Sequence, residues 1–290
     1  MTVIWELDFY SRPILDERGK KRWEALICES STDIYRDPST LFRFAKFCAN
    51  TEVNSVWLRE AIEEAIAQAP APPDRIRFFR RQMTNMITKA CEDAGLPVYA
   101  SRRTLVMHQW LQERMEQVYP TFDTYQPGAN PSVSYPPNTP QPLPDALRGD
   151  RWTIVSLAAK DLADLSEWDI SFGEAFPLDL VDLAADVSVP GLIIYSSRDL
   201  PLAAWMSGLE LAFLKASPDE ANSATQLLLE TGASEAWILV NLTATELQQA
   251  ALAFEAAKQQ AQNVHFLAVQ SDPEAEAFAG FWLLRELDLA

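Results

Sequence analysis

Apolar and charged side chains alternate from the start of the chain. In "WELDFY" (5–10) an acid stands at every second position among aromatic and aliphatic residues, the period of two that marks a half-buried β-strand. "RWEALICE" (22–29) reads as a partner strand, and Gly19 lies in the polar stretch between them, as a hairpin loop requires. The period then lengthens. Val56, Leu58, Ala61, Ile62, Ala65 and Ile66 recur near helical spacing until Pro70. "RIRFFR" (75–80) reads as a short strand. Met83, Met86, Ile87, Ala90 and Cys91 line one face of a following helix, with Gly95 as its cap. "PVYAS" is a further strand and "TLVMHQWLQERMEQVY" a third helix.

A second series follows residue 150. "RWTIVSLAA", "GLIIYSS" and "VHFLAV" read as strands, the last buried on both faces. "LPLAAWMSGLELAFLKA" reads as a mostly apolar helix, and "QLLLETGASEAWILVNL" as a hairpin turning at Thr231-Gly232, with the end of a helix as the alternative for its first arm. Capping boxes at Thr243–Glu246 and Ser271–Glu274 predict two more helices, "ATELQQAALAFEAAKQQAQ" and a last one through "AFAGFWLLREL". Between the two series, eight of the 19 prolines fall from Pro120 to Pro144. That density predicts an extended linker. The expected organisation is an α/β protein with mixed sheets: an N-terminal domain over 1–119, a linker over 120–150 and a C-terminal domain over 151–290.

Charge separates the halves further. Residues 1–150 hold 18 Lys+Arg against 20 Asp+Glu, whereas residues 151–290 hold 6 against 21. Only the first half is suited to meeting a polyanion; acidity in the second keeps a chain soluble or attracts a basic partner. No apolar run nears the roughly 18 residues of a membrane span, so no membrane insertion is expected. The opening "MTVIWELDFY" has neither the order of a signal peptide nor the texture of a transit peptide, so a cytoplasmic protein is expected. Cys28, Cys48 and Cys91 have no metal or disulfide spacing.

Catalytic sets are sparse. The N-terminal order (hairpin, third strand, helix, strand, helix, strand, helix) is that of ribonuclease H-like domains, whose nucleases gather several acids around metal ions. Asp8 is placed for this, and Glu60, Glu63 or Glu64 could join it, but "RIRFFR" has arginine where another acid is needed. His108 and His265 read as structural histidines. No phosphate loop, dinucleotide loop or nucleophile elbow is present, so no catalytic residue, metal or cofactor is expected. The basic, aromatic stretch remains. Residues 75–103 carry seven Lys/Arg against two acids. Guanidinium groups bind phosphate in pairs of hydrogen bonds and aromatic faces stack on unpaired bases. Arg75, Arg77, Phe78, Phe79, Arg80, Arg81, Lys89, Tyr99, Arg102 and Arg103, with Lys20, Lys21 and Arg22 of the hairpin, are therefore candidate contacts to single-stranded RNA. The competing reading puts Phe78 and Phe79 in the core and pairs the arginines with acids.

The string "WELDFYSRPILDERGKKRWEALICE" (5–29) resembles the Tab-two/Atab-two family (Tab2/Atab2) of oxygenic phototrophs. The resemblance continues through "RIRFFRRQMTNMITKACEDAGL", "SRDLPLAAWMSGLEL", "WILVNL" and "GFWLLREL". It implies a non-enzymatic protein that binds A/U-rich single-stranded RNA and supports translation or biogenesis of photosystem components, including the photosystem I B-subunit messenger in chloroplasts. It transfers no residue-level site. The alternatives are a protein-binding assembly scaffold, with translation or photosystem assembly proteins as partners, and a metal-dependent nuclease.

Overall fold

In the computed structural model the described residues are 2–128, 138–219 and 224–287. The protein has the mixed α/β fold that its periodicities predict. It divides into two compact units, one of Met1–Ser31 and Asp37–Tyr135, the other of Thr32–Arg36 and Pro136–Leu287.

The first unit opens with β1 (Ile4–Leu15), β2 (Lys21–Ser30) and β3 (Arg43–Cys48). Gly19 at φ +70° lets the β1–β2 turn close, a conformation costly for a side chain with a Cβ. α1 (Ser55–Gln68) starts at Asn54, whose side chain accepts from the Trp57 N–H at 2.9 Å. β4 (Arg75–Phe78), α2 (Thr84–Asp93), β5 (Val98–Ala100) and α3 (Leu105–Glu113) follow, and a single π-turn (Arg114–Val118) extends α3. The strands lie in the order β3-β2-β1-β4-β5. β1 and β3 are antiparallel to β2, while β4 is parallel to both β1 and β5. Four of the five strands therefore run one way, as in the ribonuclease H-like order. Trp5, Leu7 and Phe9 pack with Ile27, Ile76, Phe78, Leu58, Ile62 and Ile87 in the apolar core beneath α1 and α2. Alternation along β1 sends Glu6 and Asp8 to the opposite face.

Of the proline-rich segment, residues 129–137 lie outside the described residues. Tyr125 bridges Ile14 at the end of β1, and the Gln126 N–H donates to the Pro13 carbonyl at 2.8 Å. Gln141–Pro142 form β6, paired with the strand at Trp237 and Ile238.

The second unit continues with β7 (Arg151–Ala158), β8 (Ile170–Glu174), β9 (Ser188–Tyr195), α4 (Asp199–Ser207), β10 (Leu211–Asp219), β11 (Ala224–Thr231), β12 (Glu235–Leu242), α5 (Thr245–Gln260), β13 (Val264–Gln270) and β14 (Phe278–Arg285). One sheet has the order β7-β9-β13-β14-β8, the other β10-β11-β12-β6. Leu192, Leu214, Leu227, Leu229, Phe254, Leu267 and Trp282 fill its core.

Three expectations are corrected here. The apolar helix is only α4: Gly208 follows its last turn, and Leu211 onward is β10, hydrogen-bonded to β11. The last helix is instead the strand β14, buried along nearly its whole length between β13 and β8. An apolar run shorter than three helical turns carries no period that separates a helix from a doubly buried strand. Neither capping box forms. α5 is capped by Ala244 without a side-chain bond, and the Asp272 carboxylate accepts from the Glu274 N–H at 2.9 Å in a turn.

His265 is a structural histidine. Its Nε2 accepts the Leu214 N–H at 2.8 Å, so the proton sits on Nδ1, which lies 2.9 Å from the Asn263 carbonyl. Burial, with the nearby Lys258 charge, pushes its pKa down to about 3. The folded form thus refuses a proton that the unfolded chain accepts near pH 6.5. The stability this neutral ring contributes is complete above pH 6.5 and is lost as pH falls toward 3. Denaturant titrations of the wild type and His265→Gln should show it. The wild type is expected to lose about 1.4 kcal/mol per pH unit between roughly pH 6 and 5 in excess of the variant; parallel curves would exclude the linkage.

Candidate nucleic-acid interface

The face of the first sheet under α3 carries a buried polar layer. Asp8, fully buried, accepts from Arg80 Nε at 2.7 Å and from Arg12 at 2.9 Å. Arg12 Nε also reaches Glu24 at 3.1 Å. Arg12 lies in the stretch between Ser11 and Leu15 where the register of β1 against β2 shifts. Glu24 in turn accepts from the Tyr119 hydroxyl at 2.6 Å and pairs with Arg114. Arg114 opens the π-turn after α3 and Tyr119 follows that turn, so the two groups on Glu24 flank it.

The electrostatics follow from these partners. Burial alone would raise the Asp8 pKa, but the Arg80 and Arg12 charges outweigh it and hold the carboxyl below its usual range. Arg12 is pushed the other way: burial opposes its charge, and Asp8, Tyr119 and Glu24 more than restore it. Glu6 is raised to about 7, chiefly by burial, against the Met107 N–H and the charges of Arg77 and Arg103. Its carboxylate accepts that N–H at 2.6 Å and so caps the first turn of α3, whose own N-cap Thr104 makes no side-chain bond. The thiols of Cys48 and Cys91 are both pushed up to about 12 by burial, and Cys28 higher than its usual range, so none offers a thiolate at neutral pH.

The candidate contacts separate into two groups. Arg77 (2% exposed), Arg80, Arg103, Phe78 and Phe79 face inward. Phe78 is core, and the Arg80 guanidinium lies 4.2 Å from the Tyr10 ring and 4.8 Å from that of Phe79. For these five the structure shows the packing arrangement. Arg75, Arg81 and Arg102 are half-buried, Tyr99 is 46% exposed, and Lys89 is exposed and paired with Asp93 at 2.5 Å. In the hairpin Lys20 is exposed, while Lys21 and Arg22 are half-buried.

Strand direction brings most of the second group to one end of the unit. Because β1, β3, β4 and β5 run the same way, the β1–β2 turn, the exit of β4 at Arg81 and the exit of β5 at Arg102 all lie toward the carboxyl end of the sheet, the turn farther along because β1 pairs with β4 only at Ile4–Glu6 and continues to Leu15. Ligands of open α/β sheets bind at that end. Lys89, within α2, and Arg75, at the start of β4, lie away from it. Arg12, which the sequence groups with Lys20, Lys21 and Arg22 as part of a basic surface, is instead buried, and sequence reasoning missed Glu24, Arg114 and Tyr119, whose pairing spans up to 95 residues and has no local signal. Among the described residues no three His, Cys, Asp or Glu side chains come together as a metal site.

Two family models cover most of the chain. Residues 4–114 match "RNA-binding protein Tab2/Atab2 N terminal", and residues 130–285 match "RNA-binding protein Tab2/Atab2, C-terminal domain". The chain belongs to the Tab2/Atab2 family of RNA-binding proteins. Among curated relatives, a "Protein TAB2 homolog, chloroplastic" of Zea mays is 38% identical over 98% of this chain and 71% of its own length. Its counterpart from Arabidopsis thaliana is 37% identical over 98% of this chain and 74% of its own. No solved structure matches the chain at a significant level. The names of the relatives correct one expectation. Both are chloroplastic proteins, so the cytoplasmic placement read from the opening residues does not stand.

Proposed function

We propose that the domain over residues 1–119 binds A/U-rich single-stranded RNA along the carboxyl edge of its sheet, and that this binding serves translation or biogenesis of photosystem components in the chloroplast, the compartment named for the relatives. The observation that carries the reading is that Lys20, Lys21, Arg22, Arg81 and Arg102 all lie toward the carboxyl end of the sheet in the N-terminal domain of a chain from an RNA-binding family. Cations on a rigid edge hold phosphates without reading sequence, and bases can stack beside them.

The role is retention without cleavage. Asp8 stands on the first strand, where a metal-dependent nuclease of this topology would place a ligand, and two guanidinium groups neutralise it. A cation would have to displace both, and two-metal cleavage needs further acids around it. Fluorescence anisotropy with a labelled A/U-rich strand, followed by gel analysis of the same sample after incubation with Mn²⁺, tests both parts. Salt-sensitive binding to an intact strand is expected; shortening of the strand that disappears in Asp8→Asn would establish the nuclease reading instead.

The charge of the second half supports an additional role. Residues 151–290 carry a net charge of −15 from 6 Lys+Arg and 21 Asp+Glu, which suits docking of a basic protein of the translation or assembly machinery and repels RNA.

A further inference from the structure

We propose that the groove at the start of α4 is where the second unit docks its basic partner, taking a protein segment that presents a lysine or arginine beside an aliphatic side chain. This rests on the additional role given above for residues 151–290. The groove, about 590 Å³, lies at the carboxyl end of the parallel strands β9 and β13. Tyr195 and Gln270, the last residues of those strands, are paired, and Asp199 and Ser271 follow them into the lining. Across from them are the paired starts of β8 and β14, where Ile170 stands opposite Phe278 and the Phe278 N–H donates to the Asp169 carbonyl at 2.8 Å. The β13–β14 connection supplies the rest of the lining, and the Gln270 amide anchors it by donating to the Ala275 carbonyl at 3.0 Å.

The lining combines apolar and acidic groups. Leu200 is 50% exposed, and the half-buried Phe278 ring is backed by Trp168, stacked on it at 5.7 Å. Asp169, Asp199 and Glu276 bring three carboxylates. Among the described residues no lysine or arginine lines the groove, and none of the three carboxylates makes an ion pair. Arg198, one residue before α4, is not part of the lining.

These acids are not gathered on a point: among the described residues no three come together as a metal site. Carboxylates spread around apolar surface suit a cation carried on a hydrocarbon stem. Lysine and arginine lay that stem on apolar surface and leave the charged head to a carboxylate, and a cation also gains from an aromatic face such as that of Phe278. An aliphatic neighbour in the same segment then covers Leu200 and removes its side chain from water. RNA is the opposite case, since its phosphates would meet uncompensated negative charge. The acidity of the whole unit draws a basic protein in, and the groove is where charge and apolar contact coincide to hold it.

Anisotropy of a short fluorescent peptide rich in arginine and leucine, titrated with the full chain, tests this. A companion peptide has glycine in place of every leucine. The wild type is expected to bind the arginine–leucine peptide more tightly than the companion. Asp169→Asn/Glu276→Gln should weaken the arginine–leucine peptide about fivefold. Asp186→Asn/Glu246→Gln removes the same charge from exposed positions elsewhere in the unit and should change it less than about twofold. Leu200→Gln keeps every charge and should bring the arginine–leucine peptide down to the level of the companion. All these positions are exposed, so melting should shift little. Equal losses in the two double variants, or equal binding of the two peptides by the wild type, would overturn the groove and leave a diffuse acidic surface as the docking site. A wild type that binds neither peptide would remove the groove together with the docking role beneath it.

Discussion

Replacing Asp8 with Asn is expected to destabilise the first unit by about 3 kcal/mol, the scale on which removing one partner of a buried ion pair acts. The new side chain has the same shape, so no cavity opens. What changes is charge: Arg12 and Arg80 lose the carboxylate they share at 2.9 and 2.7 Å, and only Arg12 keeps another, Glu24. Arg80 is left packed against the Tyr10 and Phe79 rings without the Asp8 charge. Thermal melting should fall by on the order of 10 °C. The sign of the effect separates two roles for the same residue. Carboxylates gathered for a metal repel one another, so neutralising one stabilises the metal-free protein. Here neutralisation should destabilise, and a variant more stable than wild type would contradict the ion-pair assignment. Acid should act in the same direction. The Asp8 pKa is depressed in the folded state, so its contribution is present above about pH 4 and is lost as pH falls through the lower folded value.

The largest effect on binding is expected from the carboxyl edge. Each phosphate contact contributes about 0.7 to the slope of log affinity against log salt for a single strand. Removing four contacts with Lys20→Gln, Arg22→Gln, Arg81→Gln and Arg102→Gln should therefore flatten that slope by about 3 and lower affinity by two to three orders of magnitude near 0.1 M salt. The same four substitutions placed in the second unit, at Arg151, Lys160, Arg198 and Lys215, provide the control and should leave affinity close to wild type. All four edge positions are exposed or half-buried, so melting should shift little. A quadruple variant that binds like wild type would remove the edge from the RNA surface.

Several of these features are legible in the sequence, and the rest are hidden for identifiable reasons. The alternation in "WELDFY" and the spacings from Val56 to Ile66 and from Met83 to Cys91 are local signals, and each element forms where its period places it. The topology of the first unit follows from element order because a parallel β1–β4 pair needs a crossover such as β3–α1. Which arginines point inward is a different matter. Arg77, Arg80 and Arg103 look identical to Arg75, Arg81 and Arg102 as letters. Their environment depends on Glu6 and Asp8, contributed by a strand some 70 residues earlier. The same limit explains the C-terminal errors. β14 and β10 are apolar segments whose neighbours in the sheet, β13 and β11, decide their backbone, and tertiary pairing overrode the capping signal at Ser271.

Cross-linking locates the RNA directly. A single-stranded A/U-rich oligonucleotide carrying 4-thiouridine would be irradiated in complex with the full chain and the modified peptides identified by mass spectrometry. Adducts are expected in the peptides that span residues 18–23, 79–82 and 99–103, at the carboxyl edge of the first sheet. Adducts confined to residues 151–290, or spread over both units without enrichment at that edge, would contradict it.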